Sequence, residues 1–270
     1  MDYREFISRV LKETAEIANR NFGKVAAVIK PGDSNQVLTQ TDIEIAKFII
    51  NQIKKEFPTH NIIDEEAGVI DSDSDLTWVI DPIDGTSNFA NGVPLYGTMI
   101  GLLKRNIPIA GGLSLPYFSE IYIAEKSKGA YCNNKKLRVT DETSLLATLT
   151  AYTLDGYQKK PDFTRIECTV MAEIVLNIRN LRNSGSVFDA AMVAKGKYGA
   201  YLNRTSKIWD NVAQQIVIEE AGGLYTDFFG KSIDYSNPMS KVKDNFTFCA
   251  ASPILHKRLQ KIIHNYYQLK

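Results

Sequence analysis

Apolar residues recur at three- and four-residue spacing through residues 2–22, at Ile7, Leu11, Ala15, Ala18 and Phe22, which predicts an amphipathic helix. Val25 to Ile29 is a short strand candidate, and residues 31–36, PGDSNQ, are turn-rich. Thr41-Asp42-Ile43-Glu44 has the form of a capping box and opens a helix with Ile45, Ile49, Ile53 and Phe57 on one face. Ile62-Ile63 reads as a strand leading into Asp64-Glu65-Glu66, and Leu76 to Ile80 as another after the acidic loop DSDSD. From Tyr96 to Leu115 and Ile121 to Ala124, short apolar runs are broken at Lys104-Arg105-Asn106, Pro116-Tyr117-Phe118 and Cys132-Asn133-Asn134. That is the pattern of an antiparallel meander. Residues 141–200 are more mixed, with helices expected over Pro161 to Asn177 and around Val187 to Ala194. Asp210 to Ala221 carries Val212, Ala213, Ile216, Val217 and Ala221 on one stripe, with Asp210 as N-cap and Gly222-Gly223 as stop. A last helix is expected from Ile254 to Tyr267. Strands grouped with helices predict layered sheets and helices rather than a simple βαβ wind.

Composition narrows the function class. The 270 residues are 44% hydrophobic and 23% charged, which fits one large domain or two closely packed ones. A formal charge of +1 provides no global field, so neither nucleic acid nor an anionic membrane is an expected partner. The opening stretch MDYREFISRVLKETAE has no apolar core of the signal type, and no apolar run approaches ~18 residues. Cys132, Cys168 and Cys249 are odd in number and widely spaced, which fits a reducing cytoplasm rather than a disulfide framework. His60, His256 and His264 are too scattered for a zinc site or a serine triad.

The chemistry concentrates in Trp78 to Asn88, W-V-I-D-P-I-D-G-T-S-N. Pro82 biases Asp81 to an extended conformation, so Asp81 is expected as the last strand residue, with a turn at Ile83 pointing Asp84 back toward it. Gly85-Thr86-Ser87 can offer successive N–H groups at the start of a short helix, an anion site by backbone geometry and dipole. Acids beside an anion site make sense with cations between them. Hard oxygen ligands without nearby cysteine or histidine point to magnesium or manganese. Glu65 ends the preceding strand, and Asp210 begins a helix where a carboxylate can face a metal. Taken singly, Asp81 and Asp84 fit a strand cap and a turn residue, Asp210 an N-cap, and Asp42 a helix N1 acid.

Five segments carry a resemblance. Val79 to Phe89 matches D-P-I-D-G-T-x-N-F, and Trp209-Asp210 runs into Glu220-Ala221-Gly222-Gly223. Asp64-Glu65-Glu66 is similar to a G-E-E strand end, Leu38-Thr39-Gln40-Thr41-Asp42 to a V-T-x-x-D segment, and Gly129 to Asn133 to a hairpin. In this order, from about residue 4 to residue 260, they resemble the inositol monophosphatase superfamily of metal-dependent phosphomonoesterases. The resemblance implies an α/β (α+β) sandwich of alternating helix and sheet layers, as in fructose-1,6-bisphosphatase. Residues 1–140 would carry most metal ligands, and residues 141–270 Asp210 and the substrate loop. It implies magnesium, two to three ions, with manganese as a possible substitute. Glu65, Asp81 and the Ile83 carbonyl would hold one ion, Asp81, Asp84 and Asp210 a second, and a weaker third would sit near Glu65. Thr86, paired with Asp42, would orient and deprotonate the attacking water, with Glu65 also in the catalytic set. On the substrate side it implies Asp84, Gly85, Thr86, Ser87, Gly185, Ser186, Asn203, Arg204 and Asp210. A cytoplasmic, lithium-sensitive homodimer acting on a small phosphorylated metabolite completes the expectation.

Departures bear on the substrate. Asp64 stands where the family has glycine, and strand alternation turns it away from Glu65. Val212 and Gln214 replace small residues. Asn203 stands where inositol-selective enzymes have glutamate, although an amide still hydrogen-bonds a polyol. Arg204 and Lys207 share its loop, and Arg182 precedes the turn Asn183-Ser184-Gly185-Ser186; these are either a solvated basic surface or a selector of a second anionic group. Asp71, Asp73 and Asp75 mimic a calcium loop, but Leu76 and Pro82 occupy its glycine and glutamate positions, leaving a solvated acidic turn. The substrate expectation is inositol 1-phosphate, with histidinol phosphate, fructose 1,6-bisphosphate and 3′-phosphoadenosine 5′-phosphate as alternatives. A non-catalytic regulator binding a phosphorylated ligand is the alternative of another class.

Overall fold

The computed structural model describes residues 2–30 and 36–268. Of the turn-rich stretch 31–36, residues 31–35 lie outside the described residues. Helices α1 (Tyr3–Asn21) and α2 (Gln40–Glu56) flank a small antiparallel ribbon of β1 (Val28–Ile29) and β2 (Val37–Leu38). Next come β3 (Asn61–Asp64), β4 (Gly68–Ile70), β5 (Leu76–Asp84) and the short α3 (Thr86–Ala90). The meander follows as β6 (Gly97–Lys104), β7 (Ile107–Leu115), β8 (Glu120–Glu125), β9 (Ala130–Cys132) and β10 (Lys135–Lys136). These form an eight-stranded sheet, ordered β10-β9-β8-β7-β6-β5-β3-β4, in which only the β3–β5 pair is parallel.

The remainder comprises β11 (Leu149–Thr153), α4 (Pro161–Val175), β12 (Asn180–Arg182), α5 (Val187–Ala194), β13 (Ala200–Ser206) and α6 (Ile208–Glu220). It closes with β14 (Leu224–Thr226), β15 (Phe246–Ala251) and α7 (Pro253–Gln268). The second sheet is ordered β12-β11-β13-β15-β14, parallel through β13 and antiparallel beyond it.

Five layers result, helix on sheet on helix on sheet on helix. Ile7 and Leu11 of α1 and Ile45 and Ile49 of α2 pack on Trp78, Ile80 and Ile100 of the first sheet. Its other face meets α5 and α6, and those helices join it to the second sheet through Ile216, Val217, Tyr201 and Phe248. Helices α4 and α7 cover the outer face through Val170, Ile174, Leu255 and Ile263. Helix α6 sits close on β6 and β7 because glycines face it. A Cβ on Gly101 would stand 2.7 Å from Val212 Cγ1 and 2.9 Å from the Ala213 nitrogen. On Gly111 it would stand 2.7 Å from Ile216 Cγ2. The bulk of Val212 is thus absorbed by an absent side chain on the strand beneath it.

Four details differ from the sequence-based expectations. The N-cap of α2 is Thr39, with Asp42 at N3 completing the capping box, so the box lies two residues earlier than Thr41-Glu44 and Asp42 is not at N1. Asp210 likewise is the N3 residue of α6 rather than its cap, because the helix starts at Ile208 after Lys207. The strand predicted to end at Asp81 runs on to Asp84. None of the second sheet's strands was anticipated; its central β11, β13 and β15 are largely buried on both faces and show no alternation to read. Among the described residues, no helix is long and apolar enough to cross a membrane.

Candidate active site

In a regular strand, residues three apart face opposite sides, which would separate Asp81 from Asp84. The pairing of β5 with β6 avoids this. Asp81 pairs with Met99 and Asp84 with Gly97, so the register shifts between them, around Pro82. Both acids therefore line one cavity, together with Ile83. The carbonyl of Pro82 is anchored by the Thr98 hydroxyl at 2.8 Å. Parallel pairing of β3 with β5 sets Asp64 beside Ile80 and so delivers Glu65 next to Asp81. The Asp64 side chain turns instead to cap the following turn, accepting the Glu66 and Ala67 N–H groups at 2.9 and 2.8 Å.

The first turn of α6 brings in Asp210, whose Oδ2 accepts the Lys207 N–H at 2.6 Å. Carboxylate oxygens of Asp81, Asp84 and Asp210 lie within 4.8 Å of one another, a spacing that one cation can bridge. Asp84 also accepts the Val187 N–H at the start of α5. Among the described residues, Asp81 Oδ1 is buried without a hydrogen-bond partner.

Such a cluster is electrostatically costly by itself. Burial, then the charges of Glu65, Asp84 and Asp210, holds Asp81 well above the usual carboxylate range. Burial and then Asp210 does the same to Asp84. Burial pushes Asp210 up to about 6. Glu65 is pushed up to about 7, chiefly by burial and despite Lys30, whose ammonium bridges Glu65 at 2.8 Å and Glu66 at 2.6 Å. Clustered, buried oxygen acids with an orphaned oxygen are what a hard divalent cation satisfies, so this donor set fits one.

The phosphate side is built by Gly85, which caps α3 with φ 85°. A Cβ there would also stand 2.8 Å from Ser186 Cβ and 2.9 Å from the Leu95 carbonyl, so only glycine fits. Asn88 Nδ2 donates to the Leu95 and Ser184 carbonyls at 2.8 Å each, tying α3 to the loop before α5. The Thr86 hydroxyl lies 2.8 Å from the Ile83 carbonyl and 3.1 Å from Asp42 Oδ1. Asp42 is buried, which raises its affinity for a proton, and its Oδ2 is held by the Thr39 N–H at 2.9 Å. Thr86, Asp42 and Ile83 thus form a connected polar chain at the cavity floor.

The cavity has a volume of about 520 Å³. It brings together Glu65, Asp81, Ile83, Asp84, Gly85, Thr86, Ser87, Gly185, Asn203 and Asp210. Ser186 is set back as the cap of α5, accepting the Phe188 N–H at 3.3 Å. Arg204 is not brought in. It follows Asn203 on β13, so its side chain takes the opposite face, with its guanidinium 5.2 Å from the Phe228 ring centre. Arg182 is also outside, donating to the Leu181 carbonyl at 2.7 Å.

Residues 2–268 match the profile of the Inositol monophosphatase family. The chain belongs to the inositol monophosphatase family. It is similar to a fructose-1,6-bisphosphatase/inositol-1-monophosphatase of Aquifex aeolicus, 32% identical over 78% of this chain and 80% of that one. A protein of the same name from Thermotoga maritima is 30% identical over 98% of this chain and 96% of its own. A protein named Nus factor SuhB from Haemophilus influenzae is 29% identical over 94% and 93%. Among solved structures, an IMPase of Thermotoga maritima superposes with a TM-score of 0.85 at 28% identity, covering 99% of each chain. Inositol monophosphatase family members of this kind are phosphoric monoester hydrolases, and this chain is a phosphatase of that family.

Sequence reasoning missed Lys30, and also Thr153, Asp155, Tyr201 and Thr205, which form the cavity's far wall. None sits in a short motif, because strand pairing between distant segments assembles them.

Proposed function

We propose that this chain is a magnesium-dependent phosphomonoesterase of small polyol phosphates, with manganese as substitute metal and inositol 1-phosphate as first substrate. The observation that carries this is the close approach of the Asp81, Asp84 and Asp210 carboxylates beside the Thr86–Asp42 pair. Glu65, Asp81 and the Ile83 carbonyl would hold one ion, and Asp81, Asp84 and Asp210 another. Bound divalent ions supply Lewis-acid polarisation of the phosphoryl group and a lowered pKa for water.

The remaining work falls to the chain. The N–H groups at the start of α3, those of its cap Gly85 and of Thr86, bind phosphate oxygens and orient the phosphorus in line. Thr86 Oγ1 positions the water, and the proton taken from it passes to Asp42 Oδ1, whose buried setting suits a base. No side chain needs to form a covalent bond to phosphorus. Asn203 turns a defined face to the alcohol. Its Oδ1 accepts the Thr205 N–H at 2.7 Å, which fixes the amide orientation and assigns Nδ2 to the substrate. A division near residue 140 suits this reading, since the eight-stranded sheet lies within residues 61–136 and the five-stranded one within 149–251.

Phosphate release from a panel tests the proposal: inositol 1-phosphate, histidinol phosphate, fructose 1,6-bisphosphate and 3′-phosphoadenosine 5′-phosphate, with and without magnesium. Turnover should need the metal and fall by at least about 10²-fold in Asp84→Asn and Asp210→Asn. Full activity in both variants, or none in the wild type, would sink it. A purely ligand-binding regulator is disfavoured, because every acid and Thr86 are in place.

A further inference from the structure

The turn that carries Glu65 is held by a side chain outside the cavity. We propose that Asp64 is the positioning residue for Glu65: by capping that turn it fixes where the Glu65 carboxylate points, and so sets the affinity for a divalent cation. This rests on the metal-dependent reading above and extends it to a residue that touches neither cation nor substrate.

Residues Glu65, Glu66 and Ala67 join β3 to β4, and the two strands close on the pair Asp64–Gly68. Gly68 has φ 78°, the left-handed geometry that so short a return requires. Asp64 Oδ1 accepts two N–H groups of this turn, from Glu66 at 2.9 Å and Ala67 at 2.8 Å. An aspartate used in this way takes the place of a backbone acceptor. The Glu65 N–H donates to the Ile80 carbonyl at 3.2 Å, one residue before Asp81. The peptide groups on both sides of Glu65 are therefore anchored, one to β5 and the other to Asp64. With two planar units fixed, the Cα–Cβ bond between them has one direction, and Glu65 lines the cavity.

Asp64 does this without entering the site. It is 1% exposed and is not among the residues that line the cavity. Among the described residues its Oδ2 is buried without a hydrogen-bond partner. An unpaired buried oxygen costs stability, which the two bonds made by Oδ1 offset in part. Lys30 also holds Glu65, with its ammonium 2.8 Å from Oε1, but it acts on the carboxylate that a cation would take. Asp64 acts on the backbone, so its hold is the same whether or not a cation is bound.

Mn2+ titration of the full chain, followed by the EPR signal of the free ion, reads the effect without turnover. Asp64→Ala should weaken binding about tenfold, the size usual when a group that orients a metal ligand is removed, whereas Asp64→Asn keeps an oxygen at Oδ1 and should stay within about twofold of wild type. Asn61→Ala is the control for a merely structural role. Asn61 Oδ1 caps the next turn in the same manner, accepting the Ser72 and Ser74 N–H groups at 2.7 and 3.3 Å. Its loss should lower Tm and leave Mn2+ affinity unchanged. In a Glu65→Gln background, Asp64→Ala should add nothing further, because the ligand it orients is gone. If Asp64→Ala does not fold, Asp64→Ser, whose shorter hydroxyl caps more weakly, carries the comparison with a several-fold loss. Wild-type affinity in the variant that folds overturns the proposal. So does an equal loss in Asp64→Asn or Asn61→Ala, or a loss undiminished beside Glu65→Gln. If the wild type binds no Mn2+, it is the metal-dependent reading that falls, and this proposal with it.

Discussion

Gly101→Ala probes how the fold places Asp210. The new methyl would sit 2.7 Å from Val212 Cγ1, 2.9 Å from the Ala213 nitrogen and 3.0 Å from Val212 Cβ. A rotamer change can relieve the first contact but not the second, because the nitrogen belongs to the backbone of α6. The helix must then lift from β6 by several tenths of an ångström. Overpacking of this kind costs about 1–3 kcal/mol, offset by about 0.4–1 kcal/mol because alanine restricts the unfolded chain. The net loss of about 1–2 kcal/mol lowers Tm by roughly 2–8 °C in a protein of this size. Activity should suffer more than stability, since α6 carries Asp210 in its first turn and misplacement approaching 1 Å can cost about 10²-fold. The matched control is Gly112→Ala on the other face of the sheet, where the three atoms nearest a Cβ belong to the Ile7, Leu11 and Ile123 side chains, at 2.7–2.8 Å, and none of the three is backbone. Thermal melts and phosphate release, read well below both melting temperatures, separate the two variants. Both should lose Tm, while only Gly101→Ala should lose kcat/KM by tenfold or more and need more magnesium for half-maximal rate. Adding Val212→Ala should recover part of the loss. If Gly101→Ala matches Gly112→Ala in activity, the seat of α6 on the glycines does not govern Asp210.

Further outcomes follow from the same geometry. Burial raises Glu65 from 4.5 to about 7 and Asp210 from 3.8 to about 6, so the stability linked to their protonation is complete below pH 4 and is lost as pH rises through 6 to 7. Metal-free protein should therefore melt roughly 5 °C lower at pH 8 than at pH 5, with magnesium restoring far more at pH 8 than at pH 5. A flat profile in melts across that range would show that the carboxylates do not repel one another as placed. Thr86→Val, which removes the donor to Asp42 and the Ile83 carbonyl, should lower kcat by about 10²–10³-fold with KM nearly unchanged, whereas Thr86→Ser keeps most activity. An equal loss in both variants would point to the methyl rather than the hydroxyl. Asn203→Glu should shift relative kcat/KM toward inositol 1-phosphate over other polyol phosphates, and no shift would remove position 203 from substrate selection.

What could be read from the chain alone depended on how far apart the cooperating atoms are in sequence. Asp81, Ile83, Asp84, Gly85 and Thr86 fall within six consecutive residues, and Pro82 and Gly85 among these have local conformational consequences, so their shared cavity was foreseeable. Even there, the device that turns both acids inward is a register shift against Met99 and Gly97, which no reading of β5 alone supplies. Asp42 and Asp210 were legible as candidates but assigned to the wrong helix positions, and the correction has chemical content. Both stand at N3, where a carboxylate reaches back to the N-cap backbone: Asp42 to Thr39 and Asp210 to Lys207. A capping side chain spends its oxygen on the helix itself. An N3 aspartate can satisfy the helix with one oxygen and keep the other for the site, as Asp42 does when Oδ2 takes Thr39 and Oδ1 meets Thr86. The same helix start thus fixes the rotamer and presents the functional oxygen, so each acid needs no further support. The far wall was beyond reach for the opposite reason. Thr153 finds Asn203 only because β11 lies beside β13, 50 residues later, and both strands lie in an interior where burial erases the two-residue rhythm. Local sequence could therefore anticipate the groups proposed to act on the phosphate, whereas those proposed to judge the alcohol depend on tertiary pairing.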